Sequence, residues 1–339
     1  MTNVIQDSQG YYHYIGISKK INYTHKSLIL DSNVAINIEK FCFAPNKMKV
    51  IHRNATLEFL NNNYEVDFVP GLGVSEACWD INLMAENPNK AAKMELAFES
   101  IYKIEKSQLK EHSNGSGIDY NKSFKIDKVP ISNTLVNQLQ NHPNPLLSGT
   151  YATVLKIMIL QIKEKNKKKA VVEYLRFIND DLKANLAIET NIAINYFLGT
   201  SDMQVPADKI FKFGKLNPLV NAWNTTWDLN YLRFFQKMYY ESEQHQLRDL
   251  KLVTADAGLV ILANMTSLEA TINGDDFIPI LCFYDNDIRD EYIDFVDEIE
   301  KSLFNTVNQR SIKRNKEESN IIELISELER ELLKLSSVG

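Results

Sequence analysis

An α/β fold with a mostly parallel central sheet flanked by helices is the expectation from three features of this 339-residue chain. Short apolar runs that stop at acids recur: SLIL before Asp31, KLVT before Asp256, and FIPILCFY before Asp285. Helical patterns separate these runs. Strands alternating with helices imply crossover connections, and crossovers imply parallel pairing. The third feature is a long stretch with helical periodicity alone, which predicts a large helical insertion between the second and third recognisable strands.

In chain order, YYHYIGISKK alternates loosely and reads as a lead-in strand. KSLIL is a buried strand, and a helix follows it to about residue 40. IHRNATLEFLNNNY reads as a second helix. In EVDFVPGLGVSEACWD, the apolar residues Val66 to Val69 suggest a strand, Pro70 and Gly71 break it, and a helix begins near Leu72. KAAKMELAFESIYKIEKSQL is helical, and EHSNGSGIDYNKS is a loop. Long helical patterns then run from Gly149 to Gly199 and from Asn221 to Tyr240. The tail from Arg289 is charged and helical. In it Ile325, Leu328, Leu332 and Leu335 recur at steps of three and four, a coiled-coil-like stripe expected to meet a second copy, a protein partner or its own domain. The predicted domains are a discontinuous catalytic core over 1–85 and 217–290, a mainly helical insertion over 86–216, and a helical tail over 291–339.

Hydrophobic residues make up 44% of the chain and charged residues 24%, enough for a sizeable core. The net charge of −6 excludes a general polyanion binder, so nucleic-acid contact needs a local basic patch or metal ions. Cys42, Cys78 and Cys282 have no paired spacing, which argues against a zinc knuckle or a disulfide framework. The opening MTNVIQDSQG is polar and reads as no signal peptide. VLKIMILQI is too short to span a membrane. A cytoplasmic location without membrane association is therefore expected.

Four acids stand out by position. Asp31 ends the first strand, Glu76 sits early in the helix after the second, Asp228 lies at or near the start of WDLNYLRFFQKM, and Asp256 follows KLVT. In a parallel sheet the carboxyl ends of the strands and the N-termini of the following helices share one edge, so the four can meet despite separations of 45, 152 and 28 residues. Clustered carboxylates resist joint ionisation. A hard cation such as Mg²⁺ or Mn²⁺ removes that cost and can activate water at a phosphate.

ILDSNVAI, GVSEACWD, WDLNYL and LVTADAGL together resemble the four acidic motifs of PIN-domain nucleases, in order. The likeness covers roughly residues 25–80 and 220–285. It rests most on Asp31-Ser32-Asn33 and on Thr254-Ala255-Asp256. It implies a PIN-like fold and a Mg²⁺- or Mn²⁺-dependent endoribonuclease acting on single-stranded RNA, with DNA as an alternative substrate. Asp31, Glu76, Asp228 and Asp256 would be the catalytic metal ligands, and Ser32, Asn33 and Thr254 auxiliary residues. The long insertion departs from compact members of the family.

Each acid has a plainer reading. Asp31 and Asp228 can cap helices, and Asp256 can be a turn acid. Asp80, four residues after Glu76, is expected on the same helix face, as a wet surface pair or an extra ligand. Asp285 and Asp287 stay outside the core set. The basic runs Lys163–Lys169 and Arg310–Lys316 read as solvated faces, and the aromatic pairs at 234–235 and 239–240 as core. Two rivals to the nuclease remain: a catalytically inactive PIN-like binding scaffold, and a haloacid-dehalogenase-like phosphatase. The phosphatase needs a second Asp at position 33, where this chain has Asn33.

Overall fold

A computed structural model describes residues 2–17, 26–80, 85–118, 145–184, 186–211, 217–241, 245–265, 268–273, 276–281, 288–299, 301–302 and 321–337. The chain divides into two compact units, Met1–His142 with Phe234–Val260, and Pro143–Arg233 with Ile261–Gly339. Asp285, Asp287 and the basic run 310–316 lie outside the described residues.

The first unit is mixed α/β. Strands β1 (Thr2–Gln6), β2 (His13–Ile17), β3 (Ser27–Leu30) and β4 (Asp67–Val69) join a late strand in one open sheet. Two very short strands, β5 (Trp79–Asp80) and β6 (Ala85–Glu86), pair only with each other. The late strand is β7 (Lys251–Thr254), and the sheet order is β1-β2-β7-β3-β4. The expected crossovers are present at its heart, where β3 runs parallel to both β4 and β7.

The sheet is not mostly parallel, because β2 pairs antiparallel with both β1 and β7. For the β1–β2 pair the reason is local. The Asp7 carboxylate accepts the amides of Tyr11 and Tyr12 at 2.7 and 3.0 Å, and Gly10 takes a φ of +67°. That turn folds the chain straight back on itself, and a hairpin is antiparallel by construction.

The apolar strand runs reflect burial on both faces. Leu28, Leu30 and Val253 face one way, and Ile15, Ile29 and Leu252 the other, all at 0% exposure. Helices α1 (Ser32–Phe43), α2 (Val50–Asn62) and α3 (Gly71–Cys78) pack into the core with Leu28, Leu30 and Val253. So does α4 (Pro88–Ile101), through Met94, Ala97, Phe98 and Ile101. Its start is set by Asn87, whose side chain accepts the Asn89 and Lys90 amides, with Pro88 at the first helical position. A short helix, α5 (Leu109–Asn114), closes the described part of this segment. Residues 86–118 thus group with the sheet.

The second unit is mainly helical. Its helix Ala187–Leu198 is buried at every position except its first. It brings Glu189 inside, where the carboxylate accepts Thr150 at 2.8 Å and pairs with Arg233. FIPIL forms β9 (Asp276–Leu281), which pairs antiparallel with β8 (Leu268–Asn273) in a separate two-stranded sheet and is not a central strand. Among the described residues no helix is long and apolar enough to cross a membrane.

The tail stripe is covered within its own unit. Leu328 and Leu332 of the helix Ile321–Ser336 are buried, and Ile325 and Leu335 half-buried. The helix lies along Pro145–Lys163, with Tyr151 donating to Glu329 at 2.8 Å and Lys163 to Glu331 at 2.6 Å. Of the three outcomes expected for the stripe, packing on its own domain is the one seen, and it buries the stripe's centre at Leu328 and Leu332. Leu332→Ala is therefore expected to destabilise the protein by about 2–5 kcal/mol, the usual cost of emptying a buried leucine site. Leu333→Ala, at a position 46% exposed, should cost less than about 0.5 kcal/mol. Urea unfolding of the two variants checks the contrast.

Candidate functional site

The site is built within the first unit, where β3 and β7 end side by side. Leu30 pairs with Val253, so the next residues, Asp31 and Thr254, stand level across the two strand ends. Asp31 is 2% exposed. It holds the N-cap position of α1 but makes no side-chain capping bond. Its carboxylate turns instead to side chains. Thr254 donates to Oδ2 at 2.6 Å, Asn33 to Oδ2 at 3.3 Å, and Ser32 to Oδ1 at 3.3 Å. The plain capping reading of Asp31 is therefore not what its carboxylate does.

Thr254 also accepts the Asp256 amide at 2.8 Å. One hydroxyl thereby fixes the Asp31 carboxylate and the chain carrying Asp256. Asp256 divides its two oxygens. Oδ1 accepts the Gly258 amide, which caps the helix Ala257–Met265. No donor to Oδ2 is recorded among the described residues. Burial pushes the Asp31 carboxyl above the ordinary carboxylate range, the Thr254 and Asn33 bonds pull it down, and the charge of Asp256 pushes it up again. The two acids thus sense each other electrostatically.

Helix α3, which carries Glu76, meets this edge through Gly73. A Cβ added at Gly73 would lie 2.4 Å from the Leu30 carbonyl oxygen, so α3 rests backbone-to-backbone on the end of β3. Glu76 is half-buried and one turn beyond Gly73, on the same helix face. Asp80 is not on that face. The helix ends at Cys78, because Trp79 and Asp80 leave it to pair with Glu86 and Ala85.

Asp228 belongs to the second unit. It is half-buried in the interior of the helix Pro218–Tyr240, not at a helix start. The true start is signalled by Asn217, whose side chain accepts the Leu219 and Val220 amides, followed by Pro218. The basic run Lys163–Lys169 is engaged inside its own unit: Lys163 pairs with Glu331, Lys169 with Glu164, and Lys168 lies over Tyr292 and Phe295. Phe235 and Tyr239 are buried, as core aromatics should be.

The chain matches no family model, no curated protein and no solved structure.

Among the described residues, no group of three or more His, Cys, Asp and Glu side chains is arranged to hold a metal ion. The donor chemistry nevertheless suits a hard cation, since every group at the strand ends offers oxygen. Mg²⁺ is commonly held by one or two carboxylates and keeps its remaining waters.

One residue of this edge is not visible as a candidate in the sequence. His13 pairs across β2 and β7 with Thr254. Its spacing to every other histidine is uninformative, and only the strand register brings it here.

The raised pKa of Asp31 has a sign that can be checked. A carboxyl whose folded pKa exceeds its unfolded value binds more protons when folded. Its contribution is fully present below the unfolded value of about 3.9 and is lost as pH rises through the folded value. In EDTA, the contribution of Asp31 should therefore fall with rising pH above about 4, so that wild type loses stability relative to Asp31→Asn as pH rises. Urea titrations across pH, with an unchanged slope in the variant, would count against a buried and desolvated Asp31.

Proposed function

We propose that this chain is a Mg²⁺- or Mn²⁺-dependent nuclease of PIN-like type that hydrolyses phosphodiester bonds in single-stranded RNA. The observation that carries the reading is the Thr254 hydroxyl, which holds a buried Asp31 carboxylate beside Asp256 at the ends of adjacent parallel strands. Strand carboxyl ends are where open α/β sheets bind ligands. Two interacting carboxylates, one of them desolvated, make a poor resting arrangement without a cation.

Asp31 and Asp256 would hold the ion, with Glu76 on α3 as the third acid. Asp228 as a fourth ligand rests on the motif resemblance alone. When bound, the ion supplies an activated water and charge stabilisation at the scissile phosphate. The protein's own part is orientation. Thr254, Ser32 and Asn33 fix the Asp31 carboxylate, and the amide of Gly258 fixes one oxygen of Asp256. Outer partners of this kind commonly matter as much to a site as moderate changes in the ligands themselves. A non-catalytic PIN-like scaffold is the second reading, and it draws on the absence of a three-acid group among the described residues.

Cleavage of labelled RNA and DNA with Mn²⁺ or EDTA separates the two readings. The nuclease reading expects Mn²⁺-dependent RNA cleavage that Asp31→Asn reduces to background, with the fold intact by circular dichroism. A second test needs no substrate. An ion at about 100 times its dissociation constant should stabilise the folded state by roughly 2.7 kcal/mol. That is a rise of several degrees in Tm, on the order of 2–4 °C per kcal/mol for a protein of this size. Asp256→Asn keeps a good N-cap, so it removes charge without uncapping the helix. Its Mn²⁺ response in thermal melts should shrink, and an undiminished response would remove Asp256 from the site.

A further inference from the structure

We infer that His13 is a further residue of this edge, placed to donate a hydrogen bond from its imidazole to a phosphate oxygen of a bound RNA strand. The inference rests on the reading of the strand ends as a phosphodiester site.

The strand register carries it. His13 is directly opposite Thr254 in the antiparallel pair β2–β7, and Thr254 is level with Asp31 across β3. Directly opposite residues of an antiparallel pair point to the same face, with Cβ atoms about 4.5–5.5 Å apart. The same pair of strands obeys this rule further along, where a Cβ added at Gly16 would meet the side chain of its partner Lys251 at 3.6 Å. His13, Thr254 and Asp31 therefore form a row across the sheet, on the face that also carries Ile15, Leu252 and Ile29.

The environment of His13 matches a ligand contact better than a packing role. Its neighbours on that face, Ile15, Leu252 and Thr254, are at 0% exposure, whereas His13 is only half-buried. Its imidazole makes no hydrogen bond or ion pair recorded among the described residues. An imidazole offers an N–H donor, and a phosphate oxygen is a suitable acceptor for it. On the Asp31 side of Thr254 the edge is acidic, so a polyanion needs donors close by to be held there. The chain has a net charge of −6, so a bound strand depends on local donors such as this one to position it.

The test uses the full chain and a short fluorescein-labelled single-stranded oligouridylate in EDTA. Asp31→Asn serves as the background, so that no cleavage occurs. Adding His13→Ala should raise Kd roughly ten- to hundredfold, the range for loss of one hydrogen bond to a charged group. Adding His13→Gln, which keeps an N–H donor, should raise it less, and serves if the alanine variant folds poorly. In thermal melts the single variant His13→Ala should keep the wild-type response to Mn²⁺. Unchanged Kd in both His13 variants overturns the inference, and so does a lost Mn²⁺ response in His13→Ala, which would make the imidazole part of the cation site. If Asp31→Asn binds no oligouridylate at all, the inference falls as well. If wild type binds RNA and loses affinity on His13 substitution, yet never cleaves with Mn²⁺, the contact stands and the nuclease reading falls.

Discussion

A carboxylate that is 2% exposed must be held by donors, and Asp31 is held chiefly by the Thr254 hydroxyl at 2.6 Å. Leaving one of its oxygens without a donor would cost about 1–3 kcal/mol or more, since the group is charged. That requirement ties two chain segments separated by more than two hundred residues. It also fixes the end of β7 against the end of β3, because the same hydroxyl accepts the Asp256 amide. The backbone follows: the Asp31 amide donates to the Val253 carbonyl at 3.0 Å. Asp256 follows from this junction through the turn after β7, while His13 is placed beside it by the register of β2.

The junction is also where the structure departs from what packing alone would favour. The strands around it are apolar and buried on both faces, and a threonine or valine at position 31 would suit such surroundings better. An acid there raises its own pKa by burial and by its neighbour Asp256. Local choices that conflict with the surrounding fold tend to mark function. Gly73 is a second concession, since any side chain would meet the Leu30 carbonyl. It lets α3, the helix that carries Glu76, rest backbone-to-backbone on the strand end.

Much of this was legible in the sequence, for physical reasons. SLIL and KLVT read as strands because a strand buried on both faces leaves a continuous apolar run. Asp31, Ser32, Asn33, Thr254 and Asp256 could be picked out because strand ends in parallel sheets converge. Strand direction could not be read. Alternation in YYHYIGIS is the same for a parallel and an antiparallel strand, and the Asp7–Tyr12 turn decides it for β1–β2 alone. Asp80 was misplaced because GVSEACWD continues a helical pattern past Cys78, where pairing with Ala85 and Glu86 takes over. Asp228 reads as near a helix start because a capping acid and an interior acid look alike in sequence, whereas Asn217-Pro218 sets the true start ten residues earlier. FIPIL reads as a central strand by composition, yet its hydrogen bonds go to β8. His13 was invisible because register is a property of the folded sheet.

The most direct measurement of the central claim is a double-mutant cycle between Asp31 and Thr254, by urea unfolding in EDTA at neutral pH. Thr254→Val removes the hydroxyl while keeping shape, and Asp31→Ala removes the acceptor carboxylate. If the hydroxyl holds the carboxylate, the two changes should be coupled by roughly 0.5–3 kcal/mol, as for residues in one hydrogen-bonded network. Strict additivity, within about 0.3–0.5 kcal/mol, would mean that the two side chains act independently and that the junction is not what positions the acids.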